Sequence, residues 1–284
     1  MSVTADQVYR AGIFARFLSA LRHLIIGTLL CLSAPTALIV LGWMMRRMRG
    51  VALRSVGVAA PFPGWVLGEG GGFARLFGGL GANIREGIMA AFSLALATAP
   101  FTIIWLLSWW AGWENSFSKG YEQAFVGPLL GLFGVAVFCV LMIWLPLAVV
   151  HQAVENRALA LFDWRRTRCV VRHTGWGYLV FAVATVIAAL PIFASRGLVT
   201  FASQIVPGFD DMTPDEVAAL AGGIDLSMAA YIFTALLVLR GWSARLYAKA
   251  VARALDGPDA SLWAQSPLSE GERGGRRSWQ MTHW

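Results

Sequence analysis

Long apolar stretches alternate with shorter polar ones along most of the 284-residue chain. An α-helix rises 1.5 Å per residue, so about 20 apolar residues cross a hydrocarbon core roughly 30 Å thick. Five stretches of about that length predict transmembrane helices, at residues 23–45, 87–110, 125–150, 175–194 and 226–247. The predicted fold class is therefore all-α, a polytopic integral membrane protein with about five transmembrane helices.

Polar and apolar residues mix at helical spacing beside these stretches, which predicts interfacial amphipathic helices at residues 5–22, 65–84 and 155–172. A solvated lead-in is the alternative for the first of them. The end of the chain is rich in Gly, Pro, Ser and Arg, a composition typical of flexible segments. The predicted organisation is an amphipathic segment at 1–22, a single transmembrane helical domain at 23–255 and a flexible tail at 256–284.

Composition supports the membrane prediction. The chain is 57% hydrophobic and 14% charged, whereas soluble domains average about 45–50% apolar and about 25% charged residues. It also has 13 tryptophans, whose amphipathic rings favour the membrane interface. Several of these fall at predicted helix ends: Trp43, Trp109, Trp110, Trp113, Trp176 and Trp242.

The basic residues predict an orientation. The chain carries a net charge of +7, and 18 of its 23 Lys and Arg lie in residues 46–85, in residues 157–172 or from residue 240 onward. Positive residues concentrate on the cytoplasmic side, so these segments and the C-terminus are predicted to lie in the cytoplasm, at the bacterial inner membrane. Five spans then put the N-terminus outside. A re-entrant segment at 23–45, bent at Pro35, is the alternative.

Eight arginines are predicted to contact lipid headgroups at the interface: Arg46, Arg47, Arg49, Arg165, Arg166, Arg168, Arg172 and Arg240. Each basic residue near an anionic membrane surface contributes about 1 kcal/mol. A generic orientation signal is the alternative for the cluster within residues 157–172. Arg240 either snorkels to the interface or faces inward with a functional role. Nucleic acid is not an expected partner, because the arginines flank apolar segments.

Small residues predict a helix-packing face in the third span, formed by Gly127, Gly131 and Gly134. Such residues let helices approach closely in lipid. The face packs either against another span of the same chain or against a second copy. The expected partners are membrane lipids, with a homodimer or a membrane-protein partner as alternatives.

Candidate chemistry is sparse. The glycine-rich run at 68–81 lacks the spacing of a phosphate-binding loop. The central turns of the predicted spans contain no Asp, Glu or Lys, although ionisable residues at that depth usually mark function. Three cysteines, Cys31, Cys139 and Cys169, have no CxxC spacing. The sequence therefore predicts no catalytic residue, no cofactor and no metal ligand.

Two local signals concern helix ends. His151 and Glu155 share a helix face and His173 could approach them, but a His–Glu pair that caps the third span is the favoured interpretation over a zinc site. Thr213, followed by proline and two acidic residues, predicts a helix that starts there with Thr213 as its N-cap.

A further pattern is the order of short motifs: Gly42-Trp43 with Arg46, Arg47 and Arg49, then Pro63-Gly64-Trp65, Gly79-Leu80, Pro146, Ala158–Phe162 and Gly177-Tyr178-Leu179. This order resembles a bacterial and archaeal multi-pass membrane family catalogued as domain of unknown function 4013, over residues 24–195. The chain departs from it at Trp43, where tyrosine is usual, and at Pro63-Gly64-Trp65, where an acidic residue usually intervenes. The family has no established activity, so the resemblance implies architecture and no catalytic residue.

We therefore expect a non-enzymatic integral membrane protein that acts in lipid or envelope homeostasis or as an assembly partner of a membrane complex. The alternative is an oligomeric transporter or lipid-moving permease. In that case, segments interrupted at Pro35, Pro100 and Pro146 would line a path for the substrate.

Overall fold

A computed structural model of the chain describes residues 5–68, 73–118, 126–200 and 205–269, and at some positions in these ranges it describes the backbone alone. The regular secondary structure of the described residues is helical, without a β-strand, which confirms the all-α class. The α-helices are α1 (Ala5–Cys31), α2 (Ala34–Ser55), α3 (Phe73–Ser118), α4 (Val126–Glu155), α5 (Trp164–Thr174), α6 (Trp176–Thr200) and α7 (Pro214–Leu255). Short 3-10 helices lie at Ala158–Phe162, Phe209–Asp211 and Pro258–Trp263.

Among the described residues, two helices are long and apolar enough to cross a membrane: Leu76–Ser108 within α3, and α7. In their most apolar parts only 17% and 11% of the residues are buried, so most of this apolar surface is available to lipid. A third candidate exists if α5 and Trp176–Ile192, which are bent by 98° relative to each other, form one span. Gly175 makes this bend with φ 58°, a backbone conformation that favours glycine.

The first predicted span is divided between two helices. The predicted amphipathic segment continues without a break to the end of α1 at Cys31, and α2 starts at Ala34. The interruption therefore precedes Pro35, which lies in the first turn of α2, where its missing N–H removes no helical hydrogen bond. Ser33 stabilises this start, because its Oγ accepts a hydrogen bond from the Thr36 N–H at 3.4 Å.

Two predictions about α3 and α4 are wrong. The interfacial helix expected at 65–84 and the second span are parts of one 46-residue helix, α3. Pro100 and Pro146 lie inside α3 and α4, which continue through them instead of being interrupted. A proline removes only one hydrogen-bond donor, and packing between long apolar helices compensates for that loss. Helix α3 packs along α4 in this way.

The chain separates into two compact units. The first unit contains Met1–Val40 and Val183–Leu239, and the second contains Leu41–Ala182 and Arg240–Trp284. These boundaries do not coincide with the predicted domain boundaries at residues 22 and 255.

Within the first unit, α1 and α7 pack closely at Gly27. A Cβ atom added to this glycine would lie 2.1 Å from the Phe233 ring, so only glycine fits there without rearrangement. The Tyr231 hydroxyl donates a hydrogen bond to the Ala188 carbonyl at 2.8 Å and links α7 to α6.

Within the second unit, two glycines of the predicted packing face lie against α3. Added Cβ atoms would lie 3.2 Å from Ser108 Oγ at Gly131 and 3.1 Å from an Ile104 methyl carbon at Gly134. The surroundings of Gly127 lie outside the described side chains. The contact between α3 and α4 therefore uses small residues within one chain.

The predicted start of the last long helix is confirmed. Helix α7 begins at Pro214, directly after Thr213. The Thr213 N–H donates to Glu216 Oε2 at 2.7 Å, and the Glu216 N–H donates to Thr213 Oγ1 at 3.4 Å. This reciprocal arrangement is a capping box.

The segment after α7 is ordered where the structure describes it. Trp263 in the 3-10 helix and Leu268 beyond it are fully buried in the second unit. The prediction of a flexible tail is therefore wrong for residues 256–269, and residues 270–284 lie outside the described part. Composition misled this prediction, because two large apolar side chains are enough to hold a Gly- and Pro-rich segment in place.

Candidate functional site: an arginine-lined cleft

Two tryptophans join the loop after α2 to that helix. The rings of Trp43 and Trp65 stack with centroids 4.4 Å apart and planes 7° apart. The Trp43 indole N–H donates to the Pro63 carbonyl at 3.0 Å, and the side chain is fully buried. Loop residues therefore cover the Trp43 ring and satisfy its N–H, while its position at the membrane interface stays a prediction.

Asn83 of α3 holds the same loop from the other side. Its amide Nδ2 donates to the Gly64 carbonyl at 3.2 Å and to the Trp65 carbonyl at 2.9 Å, and the residue is fully buried. Helices α2 and α3 touch here through their backbones, since a Cβ added to Gly42 would lie 1.8 Å from the Asn83 carbonyl oxygen. The loop and the two helices thus form one rigid corner.

Arg46 extends from α2 into this corner. Its Nη1 donates to Asn83 Oδ1 at 3.0 Å, to the Gly64 carbonyl at 3.4 Å and to the Gly79 carbonyl at 3.5 Å. All three bonds start at Nη1, so Nε and Nη2 of this half-buried guanidinium have no partner among the described residues. No carboxylate in the described part of the chain forms an ion pair with Arg46.

Arg49, one turn further along α2, is neutralised. Its Nη2 lies 3.2 Å from Glu86 Oε2, and the Glu86 side chain is only 4% exposed. Its Nε donates to the Ala153 carbonyl at 2.7 Å. That carbonyl belongs to the last turn of α4, where the carbonyl groups have no partner within the helix and carry partial negative charge. Arg49 therefore ties α2 to both α3 and α4.

A cleft of about 390 Å³ opens beside Arg46 and Arg49. The rest of its lining consists of small or apolar residues, among them Gly50, Ala60, Pro61, Pro63, Gly78 and Ala82. The main polar groups at the cleft are thus two guanidinium groups, of which one is paired with a carboxylate.

Arg47, which follows Arg46 on α2, lies beside other basic side chains. The Arg47 guanidinium lies over the Trp43 ring, 5.9 Å from its centroid. Burial lowers the pKa of Arg47, and the nearby positive charges of Arg245 and Arg54 lower it further. Arginine starts from so high a pKa that it stays protonated.

A second polar cluster lies at the end of α4. The fully buried His151 has its Nδ1 2.7 Å from the Tyr247 hydroxyl oxygen and its Nε2 3.8 Å from Asp163 Oδ2. Burial lowers the pKa of His151 to about 4, although the Asp163 charge acts in the opposite direction. Glu155 lies instead 3.6 Å from Arg166. The predicted His–Glu cap of the third span is therefore wrong, because each residue has a partner from a later element.

The predicted lipid-contacting arginines occupy different environments. Two of them line the cleft, namely Arg46 and Arg49. Arg47 lies over the Trp43 ring and near Arg245 and Arg54. Two are exposed on α5, namely Arg165 and Arg168. Two form ion pairs with carboxylates of the chain, namely Arg166 and Arg172. The last one, Arg240, is half-buried in α7.

The sequence alone did not identify the acidic and amide residues that organise the cleft. Glu86 lies one residue before the predicted second span and Asn83 lies in the predicted interfacial helix. In the sequence, the one indication was that Glu86 follows Asn83 by three residues at the edge of an apolar stretch. It became informative only when the fold placed α2 against α3.

Fold and cleft together define a class: an all-helical protein with membrane-length helices and a basic cleft where two helices and a loop meet. No protein family, no curated protein and no solved structure matches this chain. The resemblance to the family catalogued as domain of unknown function 4013 therefore stays a prediction.

Proposed function

We propose that this chain is a multi-pass protein of the bacterial inner membrane whose arginine-lined cleft binds the anionic headgroup of a membrane lipid. The protein would act without enzymatic chemistry, in lipid or envelope homeostasis. The observation that carries this proposal is Arg46, a half-buried guanidinium that lines the cleft and has no carboxylate partner among the described residues.

The chemistry of the cleft suits a phosphate group. A guanidinium presents N–H groups in a planar fork that matches two phosphate oxygens, and such charge-assisted bonds are about twice as strong as neutral ones. Glycines and alanines in the lining leave room for the oxygens to approach. The bound group would be held by Arg46 and by the donors of Arg49 that remain beside Glu86.

Apolar surface next to the cleft suits the rest of a lipid. Phe62 and Leu67 adjoin the lining residues Pro61, Pro63 and Gly68 in the loop, and they are 51% and 56% accessible. Exposed apolar side chains this close to a basic cleft can pack against acyl chains while the headgroup enters the cleft.

The five-span arrangement is part of the proposal. Helix α3 and helix α7 have the length of a span, and the bent pair α5–α6 supplies another candidate. The first predicted span, at residues 23–45, and the third, at residues 125–150, would supply the remaining two. The concentration of Lys and Arg in residues 46–85, in residues 157–172 and from residue 240 onward favours a cytoplasmic C-terminus.

The transporter alternative would use interruptions at Pro35, Pro100 and Pro146, and we favour it less because α3 and α4 continue through the last two. A role as an assembly partner of a membrane complex is separable from lipid binding by experiment.

The test is native mass spectrometry of the purified full-length protein with phosphatidylglycerol or phosphatidylcholine of identical acyl chains. We expect one retained anionic lipid per chain and little retention of the zwitterionic one. Equal retention of both lipids would contradict the proposal and favour the assembly role, and displacement by inorganic phosphate would identify a soluble anion as the ligand.

A further inference from the structure

Three metal-ligating side chains meet at a place that the arginine-lined cleft does not include. Cys169 and His173 lie one turn apart on α5, and Asp259 comes from the 3-10 helix Pro258–Trp263 of the C-terminal segment. One ligand atom from each of the three lies within 4.8 Å of the others. This is the one such group of three or more among the described residues.

The spacing fits a single ion. Tetrahedral zinc has bonds of about 2.3 Å to sulfur and about 2.0–2.1 Å to nitrogen, so the two ligand atoms lie about 3.6 Å apart. In the structure Cys169 Sγ lies 3.7 Å from His173 Nδ1. The two side chains therefore already stand at the separation that a shared zinc ion requires.

The third ligand is held in place by neighbouring contacts. Arg172 pairs with Asp259 through Oδ2, which leaves Oδ1 for an ion. Arg253 at the end of α7 donates to the His173 carbonyl at 2.8 Å. These bonds fix the C-terminal segment and α7 against α5, in the way that outer contacts fix the ligands of metal sites.

Burial and charge also suit a divalent ion. Cys169 is 5% exposed, while His173 and Asp259 are half-buried, so an ion can enter from the side of the latter two. A thiolate, a carboxylate and a neutral imidazole together carry two negative charges, which one divalent cation neutralises. The mixture of sulfur, nitrogen and oxygen favours zinc over magnesium or calcium, which prefer oxygen ligands.

We propose that Cys169, His173 and Asp259 bind one divalent transition-metal ion of the zinc class, with water as the fourth ligand, and that the ion joins the C-terminal segment to α5. This proposal is independent of the arginine-lined cleft.

Binding involves a defined proton change. In the structure the His173 Nδ1–H donates to the Cys169 carbonyl at 2.9 Å. When the ion binds, this proton moves to Nε2 through solvent exchange, and the imidazole stays neutral. The Cys169 thiol loses its proton to solvent as the sulfur–metal bond forms. One proton is thus released for each ion bound.

The test uses the full-length protein in detergent, stripped of metal and titrated with Co²⁺. A thiolate bound to Co²⁺ gives a near-ultraviolet charge-transfer band, and we expect this band at one Co²⁺ per chain and its loss when Zn²⁺ is added. His173→Gln and Asp259→Asn should each weaken Co²⁺ binding by at least about tenfold. Substitution of residues that merely orient metal ligands already costs about 10- to 100-fold in affinity at other metal sites.

The assignment of the sulfur ligand does not depend on altering Cys169. The double variant Cys31→Ser/Cys139→Ser retains Cys169 as its one thiol, and it should keep the full band. Cys169→Ser should abolish the band in protein that elutes as a monodisperse peak. Absence of the band in the wild-type protein, or its loss in the double variant, would overturn the proposal.

Discussion

Arg49 of α2 and Glu86 of α3 form an ion pair at 3.2 Å in which the carboxylate is almost completely withdrawn from solvent. The same arginine binds the Ala153 carbonyl at the end of α4. This contact therefore joins α2, α3 and α4 beside the cleft, and it leaves Arg46 as the basic group there without a carboxylate partner among the described residues.

Removal of the carboxylate should destabilise the second unit. Glu86→Ala leaves a partly buried guanidinium without its partner, and we expect a loss of about 2–4 kcal/mol in the free energy of unfolding. Denaturant unfolding in detergent measures this loss. Arg85→Ala provides the matched control, because Arg85 is 72% exposed, lies 4.0 Å from the other oxygen of Glu86 and should change stability by less than about 0.5 kcal/mol. Equal effects of the two substitutions would contradict the importance of the Arg49–Glu86 pair.

The close approach of α2 and α3 gives a second prediction. Gly42→Ala places a methyl group 1.8 Å from the Asn83 carbonyl oxygen, so the helices must separate and we expect a loss of roughly 2–3 kcal/mol. Gly81→Ala on α3 meets nothing within 4 Å and should stabilise the helix by about 0.5–1 kcal/mol. Thermal unfolding tests whether Gly42→Ala lowers the stability and Gly81→Ala raises it. A neutral Gly42→Ala would mean that the two helices do not pack in this way.

The buried imidazole predicts a dependence of stability on pH. The pKa of His151 is about 4 in the folded protein, because burial lowers it, and near 6.5 when the chain unfolds. Between these values the unfolded state binds more protons, so stability falls as the pH drops from about 6.5 towards 4. By pH 5 this loss is on the order of 2 kcal/mol. The groups facing the imidazole are Asp163, Arg166, Arg157 and Tyr247.

His151→Gln isolates this contribution, since glutamine can bond to the Tyr247 hydroxyl but does not titrate. The melting temperature of the variant should fall less than that of the wild type between pH 7.5 and pH 5. If the melting temperatures of the two proteins fell equally with pH, His151 would not be buried in its neutral form.

The proposed topology predicts opposite locations for the two chain termini. With five spans and a cytoplasmic C-terminus, a reporter that is active only in the cytoplasm should work when fused after residue 284 and fail when fused at residue 2. Activity at both ends would instead favour an even number of crossings, with residues 23–45 entering and leaving on the same side.

The sequence was sufficient for features that depend on neighbouring residues. The capping box at Thr213 and Glu216 lies within one helical turn, so spacing alone predicts it. The all-α class follows from apolar stretches of membrane length.

Features that depend on distant residues were beyond sequence reasoning. The sequence does not show that Trp65 and Pro63 contact the Trp43 ring. Arg49 meets a carbonyl 104 positions away. Cys169 and His173 have metal-binding spacing on one helix, but their third partner, Asp259, comes from a segment whose composition indicated flexibility. In each case the chemistry depends on contacts that no local pattern encodes.

The central claim is that Arg46 binds an anionic lipid headgroup, and the most direct measurement compares lipid affinity in two variants by native mass spectrometry. Arg46→Gln removes the guanidinium in the cleft, while Arg168→Gln removes an exposed one from α5 and changes the net charge equally. We expect Arg46→Gln to weaken phosphatidylglycerol binding by about 10- to 100-fold, the value of a charge-assisted contact. Arg168→Gln should stay within about twofold of the wild type, because one exposed charge contributes little in a detergent micelle. If both variants lost the same small part of their affinity for phosphatidylglycerol, Arg46 would not form a specific site. The arginines would then attract anionic lipid only through their general positive charge.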